Sequence, residues 1–262
     1  MVKNINIHPT ACVHPNAKLE SGVVVGPYAI IGENVKIGED TVISNGCVID
    51  GKTRIGKRCR IFTGAVIGSE PQDLKYKGEK TQIIVGDDNT IREYVTINLA
   101  TGEKGKTVIG NNNLLMAYSH VAHDCVVGNQ AVIANVGTLA GHVSVEDRAI
   151  IGGMVAIHQF ARVGKMSITG GCSKVTQDIP PFSIIDGHPA KVYGLNSIGL
   201  KRAEVPAESV KNLKSAFKIL FKMKIATSSA FRRIKESIPD DPYVSYLLKF
   251  IRKSERGICK GS

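Results

Sequence analysis

Tryptophan is absent from this chain, and only seven tyrosines and seven phenylalanines occur among 262 residues. No run reaches the roughly 18 apolar residues that a membrane-spanning helix needs, so integral membrane association is not expected. The start, Met1-Val2-Lys3-Asn4, lacks the apolar stretch of a secretory leader, which implies a cytoplasmic protein that is not exported. None of the six cysteines forms a C-x-x-C pair. Cys47, Cys59 and Cys125 sit at the fifth position of a hexapeptide, where Ala11, Ala17, Ala29 and Ala65 also sit, and read as small buried hydrophobes in a reducing compartment, not as metal ligands or disulfides. Acidic residues are outnumbered, 23 against 34 Lys and Arg, for a formal net charge of +11. Fifteen of those 34 cations follow Leu200. Composition alone leaves nucleic acid, an anionic membrane and an acidic protein open as partners.

Glycine and branched aliphatics, by contrast, are plentiful and regularly placed. Ile7, Val13, Leu19, Val25, Ile31, Ile37, Ile43, Ile49, Ile55, Ile61 and Ile67 recur every six residues without a slip. The same period returns from Leu115 through Val121, Val127, Ile133, Leu139, Val145 and Ile151 to Ile157. Strands alternate with a period of two and helices with 3.6, so six fits neither. It fits a parallel β-helix in which each hexapeptide forms one face of a triangular coil, its aliphatic residue pointing inward. Glycine after many of these residues, as in Val25-Gly26 and Ile37-Gly38, is expected to supply the backbone angles of the corners.

Two polar stretches, near 68–83 and 98–107, break the register and must loop out of the solenoid. The first carries Asp73 and Lys75, and loops on rigid scaffolds often hold binding residues. Pro180-Pro181 cannot donate ladder hydrogen bonds and is expected to close the coil, with an irregular linker over 182–196. Beyond it the period becomes helical. Val210, Leu213, Phe217, Leu220 and Phe221 predict one amphipathic helix, begun near Pro206. Phe231, Ile234 and Ile238 predict a second, and Tyr243, Leu247, Phe250 and Ile251 a third. The expected organisation is a β-helix over 1–190 and a helical domain over 191–262.

Three hexapeptides complete a rung, so residues 18 apart stack, with strands about 4.8 Å apart. His123, Gly141 and Gln159 share that interval, and His142 and His158 lie within a residue or two of it. His123, His142 and His158 should thus climb one edge, with His120 close by, while His8 and His14 read as surface residues. The column can bind a metal, or one imidazole can act as a general base for acyl transfer. Asp124 beside His123 favours the base, because a carboxylate fixes the tautomer and stabilises the imidazolium. Gly141, one rung above, offers an N–H for an oxyanion. A zinc ion needs three ligands converging at about 2.1 Å, and consecutive rungs spread them too far within one subunit.

The run His120-Val121-Ala122-His123-Asp124-Cys125, followed by Leu139-Ala140-Gly141-His142-Val143, Ile151-Gly152-Gly153-Met154 and Ile157-His158-Gln159-Phe160, closely resembles the UDP-N-acetylglucosamine acyltransferase family. Pro71-Gln72-Asp73-Leu74-Lys75-Tyr76 and the segment from Gly194 to Arg202 resemble it too, so the likeness covers essentially the whole chain. It implies a mainly β protein, a left-handed parallel β-helix with a C-terminal helical domain, assembled as a homotrimer with its site between subunits. The implied reaction moves an (R)-3-hydroxyacyl chain from acyl carrier protein to the 3-position of UDP-N-acetylglucosamine, the first step of lipid A synthesis. His123 would be the base, Asp124 its orienting partner and Gly141 the oxyanion donor. Asp73, Lys75, His120, His142, His158, Gln159, Asn196 and Arg202 would contact the substrates, and Gly171 would set the acyl length. No metal or cofactor is implied beyond the phosphopantetheine arm that the carrier protein brings. An acidic carrier gives the basic balance a partner in place of nucleic acid. Ile198 and Ala203 depart from the family's usual Glu and Arg in the nucleotide-binding region. Two alternatives share the fold: a zinc-dependent γ-type carbonic anhydrase, and a related sugar N-acyltransferase with a 3-amino acceptor. The latter normally carries a domain before the solenoid, whereas these repeats start at Ile7.

Overall fold

The computed structural model describes residues 4–262; Met1 to Lys3, part of the start read for a leader, lie outside them. The hexapeptide becomes a two-residue strand and a four-residue corner, repeated around three parallel sheets. In each strand the first residue faces out and the second faces in. Leu115, Ile133 and Ile151 stack in the first sheet, Val121, Leu139 and Ile157 in the second, and Val127, Val145 and Val163 in the third, all at 2% exposure or less. The core is thus a column of aliphatic side chains. Among the described residues only its first turn is open, where Ile7 is 43% exposed.

The corners differ from the sequence expectation in one respect. The left-handed backbone position is held mostly by residues other than glycine, among them Tyr28, Asp40 and Arg58 with φ of 58°, 57° and 52°. The glycines that follow the aliphatic residues serve close approach instead. A Cβ on Gly26 would lie 2.9 Å from the Ser44 carbonyl carbon, and one on Gly38 would lie 2.7 Å from that of Gly56. Each rung passes too near the next for a side chain there. Ladder bonds to the rungs above and below hold the corner residues in a conformation that costs an L-residue about 1–2 kcal/mol.

Both insertions leave the coil at the same corner. Val66–Ser69 of the second sheet leads through residues 70–81 to Gln82–Val85 of the third, and Thr96–Asn98 leads through 99–105 to Lys106–Ile109. The two loops are tied together by Asn98, whose Nδ2 donates to the Glu70 carbonyl (3.1 Å).

Pro180-Pro181 does not close the coil. Ser183–Gly187 adds a parallel strand to the first sheet, and Ala190–Leu195 turns back antiparallel on it. Backbone pairing rather than an irregular linker therefore fills most of 182–196, and the expected division after residue 190 falls inside a strand. A short helix, α1 (Ser197–Arg202), follows, which the hydrophobic pattern did not reveal because only Leu200 is buried. The three expected helices are α2 (Ala207–Lys222), with Pro206 at its N-cap, α3 (Thr227–Ser237) and α4 (Pro242–Arg252). The last residues then return to the coil: Cys259 N–H donates to Asp178 and Val192 N–H to Lys260. Among the described residues, no helix is long and apolar enough to cross a membrane.

Candidate active site

The corner between the second and third sheets gathers the histidines. His120 ends one side of it, on the strand His120–Val121, and the turn carries His123 and Asp124. His123 Nδ1 lies 2.9 Å from Asp124 Oδ2. That oxygen also accepts from the Thr101 N–H (3.0 Å) and hydroxyl (2.7 Å), while the Asp124 N–H donates to Thr107 Oγ1. Burial alone would raise the Asp124 carboxyl, but the bonds from Thr101 and His123 outweigh it and hold the pKa below the ordinary value. An ionised carboxylate can only accept, so the hydrogen between the two residues belongs to Nδ1. In the neutral form of such a ring Nε2 is the atom that carries the lone pair.

Gly141 is what gives that ring its place. A Cβ there would lie 2.5 Å from His123 Nε2 and 3.1 Å from Nδ1, so any larger residue would expel the imidazole. Among the described residues no acceptor pairs with the Gly141 N–H. One position on, His142 sits at φ 60° directly above Asp124, its N–H donating to the His123 carbonyl (3.0 Å). Its ring meets His123 edge-on at 5.2 Å, and its Nε2 is 3.7 Å from Asp124 Oδ2. The ring stacked on His142 belongs to Phe160, at 4.6 Å and 9° between planes. The edge therefore climbs from Asp124 through His142 to Phe160, and His158 departs from it. His158 is exposed, with Nδ1 3.2 Å from Arg256 of the C-terminal segment and the same distance from the Gln159 carbonyl.

The other expected contacts separate. His120 Nδ1 bonds Thr96 Oγ1 at 2.7 Å, and burial, with the nearby His123, pushes its pKa down. Asp73 and Lys75 lie on the first loop of this same corner, two rungs below His123, where Asp73 Oδ1 accepts the Lys75 N–H (2.9 Å). Gln159 is exposed at the corner itself. Asn196 is committed to structure: its Oδ1 caps α1 at Gly199 N–H and its Nδ2 donates to the Met166 carbonyl. It lines, with Arg202 and Arg148, a cleft of about 280 Å³ away from the histidines. Gly171 is exposed at a different corner, and a Cβ on it would meet only the Gly153 carbonyl oxygen, at 3.3 Å.

Cys47, Cys59 and Cys125 are buried, as expected, and so is Cys259, whereas Cys12 and Cys172 are exposed. Cys12 is the outward member of its strand and Cys172 sits at a corner with φ 59°. Burial pushes the Cys125 thiol up to about 12, so the cysteine beside Asp124 stays protonated at neutral pH and is no nucleophile. His8 and His14 are exposed, as expected. Sequence reasoning missed Thr101, Thr107, Phe160 and Arg256. The 18-residue interval from His142 to Phe160 was available as a signal; Thr101 comes from an insertion and Arg256 from the tail, outside the repeat, and Thr107 from the strand that follows the second insertion. Donor atoms of His123, Asp124 and His142 lie within 4.8 Å of one another, close enough to hold a cation. Thr101 and His123 would first have to release Asp124 Oδ2.

Three family models match parts of the chain: "Udp N-acetylglucosamine O-acyltransferase; Domain 2" over 178–259, "Bacterial transferase hexapeptide (six repeats)" over 106–136, and "GMPPB C-terminal domain" over 4–102. The chain is 52% identical to the acyl-carrier-protein–UDP-N-acetylglucosamine O-acyltransferase of Thermodesulfovibrio yellowstonii and 48% identical to that of Myxococcus xanthus. Each comparison covers 97% of this chain and 99% of the relative. Among solved structures, the UDP-N-acetylglucosamine acyltransferase of Bacteroides fragilis superposes with a TM-score of 0.94 at 42% identity, over 97% of this chain and 99% of that one. An Acinetobacter baumannii structure gives 0.93 at 39%, with the same coverage. The architecture shared with them is a left-handed parallel β-helix followed by C-terminal helices.

Proposed function

The chain belongs to the acyl-carrier-protein–UDP-N-acetylglucosamine O-acyltransferase family, and from that premise we propose how its histidine corner serves the reaction. The enzyme transfers an acyl group from acyl carrier protein to UDP-N-acetylglucosamine in lipid A biosynthesis. In our reading the group is an (R)-3-hydroxyacyl chain and the acceptor is the 3-hydroxyl of the glucosamine ring. His123 Nε2 takes the hydroxyl proton as the oxygen attacks the thioester carbonyl. Asp124, bonded to Nδ1, holds the tautomer and stabilises the imidazolium. The developing oxyanion is taken by the Gly141 N–H. Collapse forms the new ester, breaks the carbon–sulfur bond and returns the proton from His123 to the leaving thiolate. No cofactor is required beyond the phosphopantetheine thiol of the carrier. The observation that carries this is the His123–Asp124 bond with Nε2 lying over a glycine.

The same reading makes the working unit a homotrimer, with the substrate cleft between a histidine corner and a neighbour's corner bearing Gly171. Asp73, Lys75, His120, His142, His158 and Gln159 contact substrate from the first subunit, and Arg202 reaches the nucleotide from across the cleft. Asn196 acts by shaping α1. A bound divalent cation at His123, Asp124 and His142 is the second reading with an observation behind it, the 4.8 Å grouping of donor atoms. Metal analysis of the active protein separates the two. Mass spectrometry of products from the 3-hydroxyl and 3-amino sugar nucleotides, each offered with a hydroxyacyl carrier protein, tests the acceptor. Acylation of the amino sugar alone would contradict the O-acyl assignment.

A further inference from the structure

Beside the His142–Phe160 stack lies a cavity of about 640 Å³ whose far wall is the C-terminal segment. Arg162 in it is already matched: it stacks 3.8 Å over Phe250 and lies 3.8 Å from Asp178 Oδ2. Asp178 is also bound by the Ser254 hydroxyl (2.7 Å) and the Arg162 N–H (2.9 Å), so its charge is spent within the protein. Arg256 is not matched. It is partly buried, its Nε and one terminal nitrogen donate to the Thr176 carbonyl, and the same terminal nitrogen faces His158 Nδ1. Among the described residues no carboxylate pairs with it, and Glu255, on the same wall, is exposed. A guanidinium drawn partly out of water without a counter-charge, next to Lys253 and opening on the site, is what an anionic ligand would complete.

We propose that this cavity binds a phosphate ester, and that it is the phosphodiester of the donor's carrier arm. The assignment rests on the acyltransferase reading above. Two substrates carry phosphate, but the candidate nucleotide residue Arg202 lies with Arg148 in the separate 280 Å³ cleft. The cations by His142 are therefore left for the donor. Ser254, Gly257 and Cys259 bond to Asp178, so the wall is fixed in place before ligand arrives.

The test compares hydroxyacyl-phosphopantetheine with hydroxyacyl-pantetheine, which lacks the phosphate, as donors for the full chain. Wild type should favour the phosphorylated donor in kcat/KM. Arg256→Gln should cut that preference about tenfold, the scale of one hydrogen bond to a charged group. The loss should appear in the KM of the phosphorylated donor, Arg256→Lys should restore part of it, and the KM for the sugar nucleotide should not move. Equal losses with both donors would reduce Arg256 to a prop for His158 and overturn the proposal. A rise confined to the sugar-nucleotide KM would assign the phosphate to that substrate and overturn it as well. No turnover by wild type with either donor would instead overturn the reading on which it rests.

Discussion

Two corners of one prism carry the same turn and opposite chemistry. Between the second and third sheets the left-handed position is held by Asp124, His142 and Phe160; between the first and second it is held by Tyr118, Val136, Met154 and Cys172. All seven have φ between 59° and 64° except Met154 at 56°. The first corner satisfies itself: Asp124 is bonded by three donors and the rings of His123, His142 and Phe160 touch in sequence. The second leaves apolar groups in water, with Tyr118 60% and Met154 65% exposed, and only Tyr94 stacked on Tyr118 at 5.2 Å. Burying a side chain such as Val or Met fully is worth about 1.5–3 kcal/mol. A column of them is a surface waiting for cover. The backbone thus dictates neither corner's role. In the proposed trimer, side chains at equivalent turn positions make one corner reactive and the other adhesive, and assembly would bring them together.

The contrast can be broken first at the reactive corner. His123→Ala should lower turnover about 100- to 10,000-fold, the usual cost of a lost general base. The melting temperature should hold, because His123 lies outside the aliphatic core; His142→Ala and His158→Ala should cost less. Gly141→Ala should come next. Its methyl occupies the ring's space, and displacing a catalytic group by about 1 Å can cost about 100-fold. Steady-state kinetics alongside thermal melts check both, and full activity in Gly141→Ala would show that the ring does not work where it lies.

At the adhesive corner, Met154→Glu should dissociate the assembly, read as a fall to the monomer mass in light scattering with far-UV circular dichroism unchanged. Gly171→Met should act more subtly. No positive φ demands glycine there and a Cβ meets only one oxygen, so the side chain should point into the acyl path and shift preference to shorter donors. Competition among carrier proteins of graded chain length reads this out. The smallest effect is on stability against pH. The folded pKa of Asp124 is depressed, so its contribution is present above the unfolded value near 4 and is lost as pH falls through the folded pKa. The stability gap between wild type and Asp124→Asn should therefore narrow toward acid, as denaturant titrations at several pH values would show.

Much of this was legible in a six-residue period. Inward residues from Val25 to Val175 stand where the spacing puts them, because each face buries a large side chain together with a smaller one, such as Ala29, Cys47 or Ala131, two residues before it. The same arithmetic brought His123 beneath Gly141, though not the reason for the glycine, which is the imidazole and not the turn. Period gave no access to Thr101, which arrives from an insertion, or to Arg256, which arrives from a tail 98 residues beyond His158. It also failed after Pro181, where Ile185 continues the first sheet 16 residues beyond Thr169 instead of 18. Repeats announce stacking; they do not announce what folds back onto the stack.

The claim that two different corners, from two subunits, make one site can be tested by complementation. His123→Ala chains lack the reactive corner, and Gly171→Met chains obstruct the opposite one for long donors. Each alone should be nearly inactive with a long hydroxyacyl carrier protein. Co-expressed, with mixed trimers verified by native mass spectrometry, they should recover turnover, because some clefts pair two intact corners. Mixed trimers that remain as inactive as their parents would place each site within a single chain and contradict the account.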